Sequence, residues 1–485
     1  MSGILIFLIF MLYTIMLFVV TWITARKANN ESFFIGNKTS PWYVVAYGMI
    51  GASLSGVTFM SVPGWVKDTQ FSYMMVVFGY LIGYFIIATV LMPMYYRLNL
   101  TSIYTYLEKR FGFWSYKTGS FFFILSRVIG ASFRMFLVIN VLQLFVFDAW
   151  NIPFVVTVSV FIALILLYTF KGGIKTIIWT DTLQTTFMLL AVIISVGLIM
   201  KELHFDFAGL ISHVIDSKYS QIVDTDWHSK RHFIKQLLSG VFIAIVMTGL
   251  DQEMMQKNLS CKNIKEAQKN MFTFSFVLIF INFMFLVLGA VLLMYAEANH
   301  IQIAGTSDEL FPVLAIQHLG PLAGIVFLIG LISAAYPSAD GALTSLTTAF
   351  SIDFMGLQKK NHLTEKQKTQ IRHYIHIGFA LLLLIVIVIF KSINDRAIVD
   401  KLFTVAGYTY GPLLGLYAFG LFTKLKVYDK AIPFIAVLSP VICWVLADHS
   451  KAWFNGYTFG FELLIINGMI MFVGLLAFSK WKKTI

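Results

Sequence analysis

Arg127, Arg134, Asp181 and Asp340 are ionisable side chains carried by stretches otherwise apolar enough to lie in a bilayer. An Asp at such depth costs ~2.5–3.5 kcal/mol on insertion scales, so it needs a counter-charge, a cation or a watery cavity. Asp340 follows Ser333-Ala334-Ala335-Tyr336-Pro337-Ser338-Ala339. Pro337 removes a backbone donor and frees the carbonyl of Ser333; Ser338 adds a hydroxyl within a turn of the carboxylate. A kink explains the proline but not the Asp, so a cation site is the better reading here. Arg127 and Arg134, seven residues apart, share one helical face. They either pair with carboxylates, Asp181 or Asp340, or grip an anionic solute through paired hydrogen bonds. Asp181, in Trp179-Thr180-Asp181-Thr182-Leu183-Gln184, has a plainer alternative as a carboxylate stabilised at a helix N-terminus. The segment Gly48 to Phe59 packs three glycines and several hydroxyls together. Close helix contact accounts for this; so does an unwound segment whose free carbonyls bind a hard cation.

The elements that hold these residues must be membrane helices. Of 485 residues, 58% are hydrophobic and 12% charged, more apolar surface than water-soluble cores can hide. Runs of spanning length occur at 3–25, 42–64, 72–96, 118–147, 153–170, 176–200, 234–251, 272–296, 321–350, 372–390, 400–421, 431–447 and 458–479. The expectation is an all-α polytopic membrane protein of thirteen transmembrane helices, with no linker and no soluble domain. The first run lacks a basic flank and a cleavage site, so it reads as a retained helix.

Most of the 36 Lys and Arg residues fall in alternate loops: Arg26, Lys27 and Lys38; Arg97 to Lys117; Lys171 and Lys175; Lys257 to Lys269; Lys359 to Arg372; Lys424 to Lys430; and the tail with Lys480, Lys482 and Lys483. The positive-inside rule then puts the C-terminus in the cytoplasm and the N-terminus outside. Glycosylation acceptor sequences at Asn37, Asn99 and Asn258 all fall on the cytoplasmic side, which favours a bacterial inner (plasma) membrane. The net charge of +12 is thus topological, and without aromatic interleaving it does not predict nucleic-acid binding. Cys261 and Cys443 show neither disulfide nor metal spacing.

Five stretches resemble the sodium/solute symporter family, relatives of sodium/glucose, sodium/proline and sialic acid symporters. They are Leu100–Gly112; Gly172-Gly173-Ile174-Lys175-Thr176 continuing to Asp181 and Gln184; Asp251–Ser260; Ala334–Asp353; and Gly411-Pro412-Leu413-Leu414-Gly415-Leu416. They occur in family order from about residue 40 to 425. The resemblance implies a LeuT-like fold of two five-helix inverted repeats, here 42–200 and 234–421. An extra N-terminal helix (3–25) and two C-terminal helices (431–479) flank them, with sites between discontinuous helices at mid-membrane. It implies a sodium site made by backbone oxygens of Gly51, Leu54 and Ala334 and the Ser338 hydroxyl. Pro337 stands where the family usually has a second hydroxyl; its released carbonyl or a water would substitute. A second cation site in some relatives maps to Asp181, Asp340 and Gly341. Ser55, Gly56 and Thr58 match solute-facing positions, and Arg127 resembles the carboxylate-holding Arg of sialic acid transporters. Tyr80, Gln143, Thr248 and Tyr408 are further pocket candidates. The stretch Ala244–Leu250 lacks the Tyr and Asn of sugar-binding relatives, which disfavours glucose and galactose.

The function so implied is secondary active symport: sodium-coupled uptake of a small organic solute, possibly anionic such as a sugar acid. Na+ is the coupling ion, no other cofactor is expected, and a monomer suffices. Proton coupling through Asp340 is the nearest rival. A transporter-like sensor would carry a signalling module, whereas this chain ends shortly after its last run; a channel would show conductance above carrier turnover. A membrane enzyme would need a nucleophile, metal cluster or phosphate loop, and the outer-loop His204, His213, His228 and His232 read as a solvated surface.

Overall fold

The computed structural model describes residues 3–24, 30–303, 305–393 and 398–480; Ala25, Arg26, Lys27, Lys482 and Lys483 of the patterns above lie outside the described residues. Hydrocarbon offers no partner for a bare peptide group, so apolar runs close their own hydrogen bonds as helices. They are α1 (Gly3–Thr24), α2 (Trp42–Thr69), α3 (Tyr73–Arg97), α4 (Phe113–Trp150), α5 (Phe154–Phe170), α6 (Gly173–Glu202), the short α7 (Phe207–Asp216), α8 (Phe233–Gly249), α9 (Gln252–Leu259), α10 (Ile264–Ala298), α11 (Gly320–Phe354), α12 (Glu365–Ile393), α13 (Ile398–Phe422), α14 (Asp429–Asp448) and α15 (Leu463–Ala477).

Each predicted run carries a helix. Among the described residues, nine are long and apolar enough to cross a membrane, or ten if α8 and α9 form one bent span. The runs 153–170 and 458–479 carry shorter helices and 234–251 ends at a bend, whereas 400–421 lies in one helix of 25 residues that is not apolar enough to count among the nine. Between α5 and α6 the chain turns at Gly173 (φ 55°), where a Cβ would strike Phe33. Before α15, the Glu462 carboxylate accepts hydrogen bonds from the Tyr457 hydroxyl and the Gly460 amide, both 2.9 Å, and so holds a turn where a helix was expected.

Burial sorts the helices. The apolar cores of α2 and α11 are 89% and 83% buried, against 33% for α1 and α12, so α2 and α11 form the centre and α1 and α12 the rim. On α1, Ile4, Leu8, Leu12, Ile15 and Val19 face outward, as do Leu381, Ile385 and Ile389 on α12. Such four-residue apolar stripes left uncovered are suited to lipid, and the chain is a membrane protein.

At the centre α2, α6 and α11 meet. A Cβ on Gly48 of α2 would lie 3.2 Å from the Asp181 Cβ and one on Gly51 would strike Thr185, while Gly330 of α11 abuts Ala191 and Phe59. Gly48 and Gly51 are therefore contact residues. The break in α2 lies just beyond them: Ser55 has φ 37° and ψ 173°, interrupting the regular stacking of carbonyl on amide. The expected second break does not exist. Helix α11 runs continuously through Pro337, because a proline removes one hydrogen bond, and here neighbours bury every residue from Leu331 to Ala349. The other true break follows α8, whose last turn (Ile245–Gly249) is π-helical. The chain bends by 64° and restarts at Asp251, whose carboxylate accepts the amides of Glu253 and Met254 at 2.9 and 3.3 Å, capping α9.

Candidate functional site

The Ser55 break opens onto a cavity of about 80 Å³ between α2, α3, α4, α8 and α13, room for several waters. Its wall includes the solute candidates Ser55, Thr58, Tyr80, Arg127, Arg134 and Thr248, together with Leu54, named as a sodium ligand. The Tyr73 and Tyr80 hydroxyls share a hydrogen bond of 3.3 Å. Gly56 is not on this wall: a Cβ there would meet Val138 at 2.7 Å and the Ala334 carbonyl oxygen at 4.0 Å. That contact places the α2 break directly against α11.

Two of the pocket candidates lie elsewhere. Gln143 is fixed by the Asp148 carboxylate, the Ile152 carbonyl and the Thr157 hydroxyl, structural contacts at the end of α4. Tyr408 lines a second cavity of about 610 Å³ with Trp65, Lys230, Arg231, Phe403 and Lys451. Four rings separate the two cavities: Trp65–Tyr73 (5.8 Å), Tyr73–Phe403 (6.5 Å), Phe403–Phe461 (4.9 Å) and Phe461–Trp65 (6.1 Å) close a circuit.

Beside the break, the Ser338 hydroxyl is buried with no hydrogen-bond partner among the described residues. Helical serines commonly bond back to the carbonyl four residues earlier, as Ser333 does to Ile329 at 2.6 Å; Ser338 leaves the Ala334 carbonyl alone. A buried hydroxyl left unpaired costs ~1–3 kcal/mol, which a bound cation would recover. The hard oxygens gathered here suit sodium.

The ionisable residues form one connected cluster, and its wiring corrects three expectations. Arg127 pairs with Asp251 at 3.5 Å and with Glu253, not with Asp181 or Asp340; the Tyr410 hydroxyl donates to the same Asp251 carboxylate at 2.8 Å. Asp181 lies more than two turns inside α6, too deep for an N-terminal dipole to act, and its partner is the Lys257 ammonium at 2.7 Å. Lys257 is accordingly no loop charge. It sits 1% exposed on α9, and Glu253 one turn earlier approaches it at 3.4 Å. Asp340 accepts the Tyr168 hydroxyl at 2.7 Å and the Gly341 amide at 2.6 Å. A Cβ at Gly341 would collide with the Glu253 carboxylate, so α9 wedges against the lower half of α11. Arg134 is buried, its Nε lacks a partner, and no carboxylate pairs with it among the described residues.

Sequence reasoning missed Glu253, Lys257 and Gln184. The four-residue spacing of Glu253 and Lys257, on one helical face, was the available signal; the neighbouring Lys262 and Lys265 disguised it as a basic loop. Gln184 is fully buried with neither amide atom hydrogen-bonded among the described residues. It lies one turn beyond Asp181 on the α6 face that carries Ala191. Because Ala191 meets Gly330, and Asp181 meets Gly341 through the Lys257–Glu253 pair, α6 and α11 run antiparallel and Gln184 stands level with Pro337.

The family model "Sodium:solute symporter family" matches residues 33–427. The sodium/sialic acid symporter NanT of Aliivibrio fischeri is 24% identical over 475 residues, 95% of this chain and 90% of that protein. The sodium/sialic acid symporter SiaT of Proteus mirabilis is 25% identical, over 92% and 89% of the two chains. A solved substrate-bound, outward-open structure of a Na+-coupled sialic acid symporter superposes with a TM-score of 0.81 at 20% identity, covering 98% of both chains.

Proposed function

The chain belongs to the sodium:solute symporter family, and we propose that it carries a small anionic organic solute, a sugar acid foremost, into the cell together with sodium. The observation that carries this reading is the junction at Ser55. A non-helical residue in a buried membrane helix is followed by Gly56, where an added Cβ would lie 4.0 Å from the Ala334 carbonyl oxygen, with the Ser338 hydroxyl, unpartnered among the described residues, one turn along. The cavity wall adjoining it bears two guanidinium groups. Sodium would take the carbonyl oxygens of Gly51, Leu54 and Ala334 and the Ser338 hydroxyl, with Pro337 contributing through the Ser333 carbonyl it leaves without an amide. The carboxylate of the solute would take Arg134 and share Arg127, while Ser55, Thr58, Tyr80 and Thr248 bond its hydroxyls. Sugar acids fit this lining better than neutral sugars, because Arg134 is a buried cation with no carboxylate partner among the described residues, and such a charge is costly without a matching anion. The sialic acid symporters among the relatives point the same way.

We further infer thirteen crossings with the N-terminus outside, and two inverted five-helix repeats over 42–200 and 234–421. In support, the first helix of each half is the broken one, α2 at Ser55 and α8 before Asp251. Inward sodium flow down the membrane potential supplies ~2.3 kcal/mol per 100 mV for each charge.

The test is uptake into proteoliposomes holding the purified protein, with a sodium gradient at fixed pH, against sialic acids, hexuronates, monocarboxylates and neutral hexoses. Sodium-driven accumulation of an acid but not of its neutral analogue is the expected result. Accumulation driven by a pH gradient with no sodium present would transfer the coupling role to a proton.

A further inference from the structure

Lys257 is the most deeply buried lysine or arginine among the described residues, and the transport reading leaves it without a task. Its stem enters from α9, the short helix after the 64° bend, and its ammonium is 1% exposed between Asp181 (2.7 Å) and Glu253 (3.4 Å). Taking a lysine out of water to this depth is unfavourable unless opposite charge surrounds it, and two carboxylates bracket it. Asp181 has a second oxygen, Oδ1, that is buried with no partner among the described residues. Three steps away on the α11 side, both Asp340 oxygens are engaged, by the Tyr168 hydroxyl and the Gly341 amide, and the adjoining residue is a glycine with no side-chain oxygen to offer. Asp181 is therefore the carboxylate at this junction that could still take a cation, and a tethered cation already holds it.

We propose that the Lys257 ammonium is a built-in counter-ion that permanently fills a monovalent-cation place at Asp181, so that this protein couples each solute to a single sodium ion. The inference rests on the sodium-symport reading above and deepens it by fixing the number of mobile ions. It assigns the place at Asp181 to the chain itself and leaves the Leu54–Ala334–Ser338 oxygens to sodium. It also gives the place a latent chemistry. With the ammonium removed and the carboxylates kept, Asp181 presents two free oxygens beside the Glu253 carboxylate, a set of hard oxygens of the kind alkali cations take.

The experiment compares the parent with Lys257→Met, which keeps the stem volume and deletes the charge, and with the double variant Asp181→Asn/Lys257→Met. Two readouts are taken: the sodium dependence of thermal stability of the purified proteins, and the ratio of radioactive sodium to solute entering proteoliposomes. The parent should titrate with a Hill coefficient of one and a flux ratio of one. Lys257→Met should be less stable without sodium and regain stability as sodium rises, with a Hill coefficient moving toward two. The double variant should return to a single-sodium response, because its second place has lost the carboxylate. A parent that moves two sodium ions per solute overturns the proposal. So does a Lys257→Met protein whose instability no concentration of sodium repairs while the double variant is stable, since the place then does not accept sodium. A parent with no sodium response of any kind would instead overturn the symport reading itself, so the two failures are distinguishable.

Discussion

Replacing Ser338 by alanine should move two properties in opposite directions. The Ser338 hydroxyl is buried with no partner among the described residues, and a desolvated hydroxyl without a bond costs ~1–3 kcal/mol. Deleting it leaves a void of less than one methylene, which returns a fraction of that gain. The sodium-free variant should therefore be more stable than the parent by roughly 0.5–2 kcal/mol. Sodium binding should weaken, since a polar contact to a charged group is worth ~1.5–3 kcal/mol and each ~1.4 kcal/mol is a factor of ten in affinity. The expected loss is between tenfold and somewhat over a hundredfold. Both quantities come from one assay: thermal unfolding of detergent-solubilised protein, monitored by intrinsic tryptophan fluorescence across a sodium titration with choline holding ionic strength constant. The stabilisation at saturating ligand gives affinity directly. If Ser338→Ala unfolds at a lower temperature than the parent without sodium, and keeps the same sodium midpoint, the hydroxyl is a packing group and the cation site lies elsewhere.

Arg127→Gln should destabilise the protein by about 3–5 kcal/mol, because it strands the Asp251 and Glu253 carboxylates that Arg127 now pairs with; expression and unfolding midpoint read this. Arg134→Gln strands no carboxylate and should fold normally while weakening the acid solute by roughly tenfold to a hundredfold, measured as a rise in the half-saturating concentration for uptake. Gln184→Leu removes a buried amide with neither end satisfied and should raise sodium-free stability by ~1–3 kcal/mol; a fall of that size would mean the amide is bonded. Burial pushes the Cys261 thiol up to about 12, leaving roughly a thousandfold less thiolate near pH 8 than an ordinary cysteine has. In a Cys443→Ser background, iodoacetamide should therefore label the unfolded chain and spare the folded one.

The helices were legible because a run of apolar residues admits one solution in hydrocarbon. The break in α2 was readable only as one of two alternatives for the segment Gly48 to Phe59. Close packing and unwinding both call for small residues, and the structure uses both: Gly48 and Gly51 for contact with α6, Ser55 for the break. Pro337 misled in the other direction, since local preference calls for a discontinuity that the buried surroundings of α11 do not allow. Ser55, Thr58 and Arg127, named from motif positions, lie on the cavity wall, whereas the places of Tyr408 and Gln143 depended on helix rotation, which no local pattern fixes. The partners of Arg127 and Asp181 were out of reach for a related reason. They sit on α9, more than seventy positions further along the chain from Asp181, and pairing over that distance leaves no trace in periodicity or composition.

The circuit of Trp65, Tyr73, Phe403 and Phe461 bears on leakage. A bare alkali ion passing between these rings would shed most of its hydration and find only weak compensation from their faces, so the closed ring is a far better barrier to sodium than a water-filled constriction of equal width. A carrier whose energy supply is an ion gradient runs it down whenever the ion slips through alone. Four hydrocarbon faces, one from each of α2, α3 and α13 and one from the turn before α15, insulate that gradient at the cost of requiring three helices and a loop to part before any solute can enter.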